Sequence, residues 1–85
     1  MKKTLTGLDF KIQEMAGRIR EMREISGFSA QSMAQKTGTS EEEYLRCEAG
    51  QSDLNFAFLY RCALAFGVDV TDLIEGSSPK LRSYT

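Results

Sequence analysis

Glycine punctuates this chain at Gly27, Gly38, Gly50 and Gly67. Behind the first two stops a serine stands two positions on, at Ser29 and Ser40. Glycine accepts the left-handed backbone that ends a helix, and a serine hydroxyl accepts from the free N–H groups that open one. Two such stop-and-start signals within ISGFSAQSMAQKTGTSEEEYLRCEAG confine the chain to short helices there.

The apolar positions agree. Ile12, Met15, Ala16, Ile19 and Met22 recur at steps of three and four, which predicts a first helix over residues 10 to 26. Lys11, Arg18, Arg20 and Arg23 lie largely off that stripe. A second helix runs from a Ser29 cap through Ala30 to Lys36, with Met33 and Ala34 inward, and Thr37-Gly38-Thr39 is the turn. The third helix starts at Ser40. Glu43 lies three residues on, so SEEE reads as a capping box, and glutamates in a first turn suit the helix dipole. Tyr44 and Cys47 are its inward pair, and Gly50 closes it. QSDLN is a loop. The fourth helix, Asn55 to Phe66, buries Phe58, Leu59, Cys62, Ala63 and Phe66. A last short helix, Val70 to Ile74, is capped by Asp69 or Thr71. No segment alternates with period two. The expected fold is all-α with five short helices: an N-terminal arm over residues 1–9, a domain over 10–76, and a linker or tail over 77–85.

Eighty-five residues, 41% of them hydrophobic, make one small domain with one modest core. The chain has no histidine. That removes triads and dyads with a histidine base and most catalytic zinc sites, and so small a set of helices rarely walls off a catalytic pocket. Neither an enzyme nor a cofactor nor a metal is expected. Cys47 and Cys62 sit in apolar helical patterns and read as small hydrophobes, not as a disulfide or zinc ligands. No apolar run has the length of a membrane span or a signal peptide, so the expectation is a cytoplasmic protein with no membrane partner. The net charge is −1, so any binding to nucleic acid must rest on local positive charge.

The order of helix, glycine, serine-capped helix, glycine turn, serine-capped helix, glycine and two closing helices resembles the lambda-repressor-like, Cro-type helix-turn-helix family, also called the XRE family. IREMREISGFSAQSMAQKTGTSEEEYLRCEAG carries the likeness for the first three helices, and LYRCALAFGVDVTDLI for the last two. The likeness runs from about Met15 to Leu73. The ending EGSSPKLRSYT resembles the linker that joins such domains to a C-terminal cupin barrel in bacterial regulators.

The resemblance implies a domain that binds double-stranded DNA as part of a transcriptional regulator. In such a domain the third helix lies in the major groove and the second crosses the backbone. By position, the groove residues here are Ser40, Glu41, Glu42 and Arg46, with Glu43 nearby. Ser29 and Gln31 begin the second helix near a phosphate. Gln51, Ser52 and Asn55 occupy the loop that reaches the next phosphates, and Arg18 and Arg20 are placed to add charge. Such domains usually act as homodimers on paired half-sites. Arg23 and Glu48 occupy the family's internal ion pair, a structural role.

Two departures stand out. Ala30 takes the place where the family usually has a glutamine, and three glutamates open the third helix where Arg, Gln, Ser or Thr is common. A glutamate can accept from cytosine N4. The same three residues are equally what a solvated helix start requires. Two functions therefore remain open: sequence-specific DNA binding, and docking of a protein partner on the same scaffold, since fold does not fix function. A positive band across the second helix, Arg46 and the loop favours the first; a negative third helix without flanking positive charge favours the second. Leu45 either packs on the QSDLN loop or offers an exposed contact. Phe10, Phe28, Phe56 and Tyr60 are expected in the core or at its rim, and Met15, Met22 and Met33 as core fillers.

Overall fold

Side-chain caps set the starts of the three central helices. Ser29 Oγ accepts from the Ser32 N–H at 3.0 Å, Ser40 Oγ from the Glu43 N–H at 3.0 Å, and Asn55 Oδ1 from the Phe58 N–H at 2.8 Å. Each such cap stabilises its helix by about 1 kcal/mol. Gly38 and Gly67 end the second and fourth helices at φ 73° and 74°, a conformation that a side chain would strain.

In the computed structural model, which describes residues 7–76, these signals yield α1 (Gly7–Ser26), α2 (Ala30–Thr37), α3 (Glu41–Glu48), α4 (Phe56–Phe66) and α5 (Val70–Ile74). There is no strand among the described residues. No helix among them is long and apolar enough to cross a membrane. The expectations for residues 1–6 and 77–85 lie outside the described residues.

Several boundaries differ from the sequence-based expectation. α1 begins at Gly7, so residues 7–9 belong to the helix and not to an arm. Asp9 suits this first turn through the helix dipole, and no buried position there announces it: Leu8 and Phe10 are both exposed. Thr37 closes α2 instead of opening the turn. It is buried, and its hydroxyl donates to the Met33 carbonyl at 2.8 Å. Asp69 is the N-cap of α5, and its N–H donates to Asp72 Oδ2 at 3.2 Å.

Ile19, Met33, Tyr44, Cys62 and Leu73 are fully buried and draw the five helices together. Burying an aliphatic or aromatic side chain of this size stabilises by roughly 1.5–3 kcal/mol. The Tyr44 and Phe58 rings meet at 5.9 Å. At the rim, Phe28 stacks on Phe66 at 6.5 Å, and Met22 is half-buried. Phe10, Phe56 and Tyr60 depart from expectation and are exposed. The inner side of α4 is Phe58, Leu59, Cys62 and Ala63, as expected; Phe56 and Tyr60 lie off that row, and apolar character alone does not bury them.

α2 packs on α3 and α4, while α1 runs beneath α3, α4 and α5. Two arginines of α1 make long-range ties. Arg23 reaches α3, and Arg18 Nη1 donates to the Leu73 and Ile74 carbonyls at 3.0 and 3.2 Å, capping the end of α5.

Candidate nucleic-acid interface

α3 has an inner row that the fold holds and an outer row that it leaves free. Tyr44, Cys47 and Glu48 are buried. Glu48 accepts from Arg23 Nε at 2.6 Å, from Arg23 Nη2 at 3.0 Å and from the Tyr44 hydroxyl at 2.7 Å. Arg23 Nη1 donates to the Phe28 carbonyl at 3.0 Å, so one guanidinium ties α1 to both ends of the helix-turn-helix unit. The hydrogen bond that Arg23 donates to Glu48 holds its guanidinium above the ordinary arginine range. Burial, then that same carboxylate, pushes the Tyr44 phenol well above its usual range. Burial also raises the thiols, Cys47 to about 11 and Cys62 to about 12.

On the outer row Glu41, Glu42, Leu45 and Arg46 are all exposed. Arg46 is not free. Its Nη2 donates to Glu43 Oε1 at 2.6 Å and its Nη1 to Glu42 Oε2 at 3.4 Å. Glu43 therefore completes only half of the expected capping box. Its backbone N–H meets Ser40, while its carboxylate turns to Arg46 and to the Cys47 thiol, which donates at 3.7 Å. A charged partner one turn along the helix outcompetes a return to the Ser40 N–H.

The remaining sequence-predicted residues fall into separate places. Ser29 and Gln31 are exposed at the start of α2, and Ser40 at the start of α3. Asn55 borders a depression with Thr39 and Glu43, beside the turn. Gln51 and Ser52 border a different one, with Gln13 of α1. The loop thus has two sides, and only Asp53 lines both. Arg18 is committed to α5, so its expected contribution of charge to this surface is corrected. Arg20 is exposed and pairs with Glu24 at 3.4 Å.

Two residues were not expected at this surface. Gln13 Nε2 donates to the Gly50 carbonyl at 3.1 Å and so fixes the end of α3. Arg61 reaches the Thr37 carbonyl at 3.5 Å beside the turn. As the sole charge in FAFLYRCALAF, Arg61 carried a signal that went unused.

From Ser29 to Asn55 the cations are Lys36 and Arg46, against Glu41, Glu42, Glu43, Glu48 and Asp53. Lys36 lies over the Phe28 ring at 4.8 Å. Within that segment the cations are outnumbered, and Arg61 of α4 adds a third beside the turn.

Residues 16–79 match a family model described as a helix-turn-helix domain. The structure is similar to that of the clp gene regulator ClgR from Corynebacterium glutamicum, with a TM-score of 0.73 and 18% identity over 87% of this chain and 81% of that one. At that identity the likeness speaks for the fold. A search of the curated proteins returned no match.

Proposed function

The chain belongs to the helix-turn-helix domain family, and from that premise we propose that it is the double-stranded DNA-reading domain of a bacterial transcriptional regulator and selects its site by sequence. The observation that carries the proposal is the division of α3. Its inner row is locked by Tyr44, Cys47 and Glu48, while Glu41, Glu42, Leu45 and Arg46 face solvent.

In this proposal α3 enters the major groove. Glu41 or Glu42 accepts from cytosine N4, and Arg46 donates to guanine or to a phosphate. Ion pairs between exposed side chains are weak, so Arg46 exchanges Glu42 and Glu43 for DNA at little cost. The N–H groups that open α2, with Ser29 and Gln31, meet one phosphate. Gln51 and Ser52 meet another. Asn55 caps α4 through its oxygen, which leaves its amide nitrogen able to donate. Contacts of this kind position the domain, and the α3 row specifies the site. The acidic row also disfavours most registers, since a carboxylate near a phosphate repels it.

The test is fluorescence anisotropy on a random duplex library, wild type beside Arg46→Ala, followed by selection from the bound fraction. Binding that Arg46→Ala weakens or makes less selective supports the proposal. No binding at low salt, by the chain or by a version fused to a dimerising coiled coil, overturns it.

The charge count favours a second function, docking of a basic protein partner on α3. That outcome is marked by capture of a cationic partner that Glu41→Gln and Glu42→Gln abolish, together with no duplex binding.

A further inference from the structure

Among the described residues, Lys11, Arg18, Arg20, Arg23 and Arg46 each face a carboxylate, at 2.6 to 3.8 Å. The other two described cations, Lys36 and Arg61, pair with none of the described carboxylates. Lys36 lies over the Phe28 ring at 4.8 Å, and Arg61 makes one long hydrogen bond of 3.5 Å to the Thr37 carbonyl. These two stand together. With Leu64 and Ala65 they line one depression of about 260 Å³, at the seam of α2 and α4. Neighbouring like charges repel, and an anion from outside the chain offsets them.

This charged edge borders an apolar row. Phe56, Tyr60 and Leu64, each one turn from the next, are 62%, 48% and 63% exposed. The Phe56 and Tyr60 rings stack at 6.0 Å, so little rotamer freedom is left to lose on burial. On the other side of the row the surface falls into a groove of about 490 Å³, lined by Tyr60, Leu64, Val68 and Val70 among others, with Asp69 at its margin. The row thus has a positive edge and a negative one. We infer that it docks a helix of a protein partner, one that carries its own apolar row with Asp or Glu along one edge.

Charge and shape both choose this occupant. Carboxylates beside an apolar row meet Lys36 and Arg61 while that row covers Tyr60 and Leu64. A DNA duplex offers anions at its surface and nothing apolar to cover the row. Phe56 to Leu64 runs straight along α4 for about 12 Å, which suits anchors spaced at three, four and seven residues on a second helix. An extended peptide adds to a sheet edge, and there is no strand among the described residues. The three side chains offer far less than the roughly 800 Å² per partner of a stable interface, so the complex is transient. The unlike edges give the bound helix one direction.

The probe is a displayed library of random peptides of about 18 residues, five helical turns, selected on the full chain and then measured by fluorescence anisotropy. The selected peptides are expected to carry apolar residues at three- and four-residue steps with Asp or Glu on one side. Lys36→Glu with Arg61→Glu should weaken them about tenfold or more, and changing the peptide's acids to lysine should restore binding to that variant. Tyr60→Ala should abolish binding, and Leu45→Ala on α3 should not. All these sites are exposed, so unchanged thermal melts certify each fold. A selection that enriches nothing, or peptides without the acidic edge, overturns the inference. So does binding that survives both the charge reversal and Tyr60→Ala. Self-association that Tyr60→Ala removes gives the row to a second copy, and loss of duplex affinity in the charge-reversed variant, with no peptide selected, gives the cations to phosphate; either result overturns it. Peptide binding by a chain that binds no duplex removes the DNA reading and keeps this one.

Discussion

Arg23 and Glu48, twenty-five positions apart, meet through two hydrogen bonds of 2.6 and 3.0 Å, and the carboxylate takes a third from Tyr44. Removing one member strands the other. Arg23→Ala is expected to destabilise by about 3 kcal/mol, because it leaves a buried carboxylate without its cation. Tyr44→Phe, which loses one charge-assisted bond, costs about 1.5 kcal/mol or somewhat more. Replacing both ions, as Arg23→Met with Glu48→Leu, is expected to recover most of the loss. Urea titration of the four proteins decides it; a double variant no more stable than Arg23→Ala would refute the account.

Stability is expected to fall on the alkaline side. Below pH 9 both thiols are protonated in the folded and the unfolded chain. Free thiols ionise near 9.0, whereas the folded ones hold their protons to about 11 at Cys47 and about 12 at Cys62. Between those limits the unfolded chain binds fewer protons, so unfolding gains as pH rises. Tyr44, also raised, acts in the same direction. Melting temperatures should be level from pH 7 to 9 and decline beyond, with a shallower decline in Cys62→Ala. A level profile through pH 11 contradicts this.

DNA binding should be unusually insensitive to salt. Arg46 is the only cation in α3, so binding displaces the counterions of about one or two phosphates. Raising salt from about 50 to 200 mM then weakens binding by only about 3- to 12-fold, since affinity falls with salt according to the number of phosphates neutralised. Glu41→Gln with Glu42→Gln should bind random duplex more tightly and prefer the selected site less. A thousandfold salt effect in the wild type would point to cations elsewhere in the chain.

Arg18 should behave as a helix cap and not as a DNA contact. Arg18→Ala is expected to loosen α5, which hydrogen exchange would report at Leu73 to Glu75, and to leave duplex affinity unchanged. Gly76 belongs to the same joint. It has φ 61°, and a side chain there would run into the Arg18 guanidinium, so Gly76→Ala should produce the same local exchange. An effect on affinity without one on exchange would reverse the assignment.

Local chemistry was legible in the sequence. Ser29 and Ser40 announce their helices, Gly38 and Gly67 end theirs, and Met33, Tyr44 and Cys62 fall on the apolar rows that bury them. Choices between distant partners were harder to see. Nothing near Arg18 in the chain names the carbonyls of α5 as its acceptors. Glu43 had two uses at similar spacing, the Ser40 N–H and Arg46, and only the folded helix decides between them. Phe56 and Tyr60 were misassigned because apolar character was taken for burial, although both lie off the row of Phe58, Leu59, Cys62 and Ala63 that faces the core. At the candidate interface, the exposure of Glu41, Glu42 and Arg46 followed from the helix register, while the division of the QSDLN loop into two sides did not.

The inner row of α3 is fastened by residues from α1 and from the core, and the outer row contributes nothing to that fastening. Glu41, Glu42, Leu45 and Arg46 can therefore be exchanged without unseating the helix. The domain works as a socket in which four positions are open to be rewritten, by drift or by design, while the protein around them stays the same.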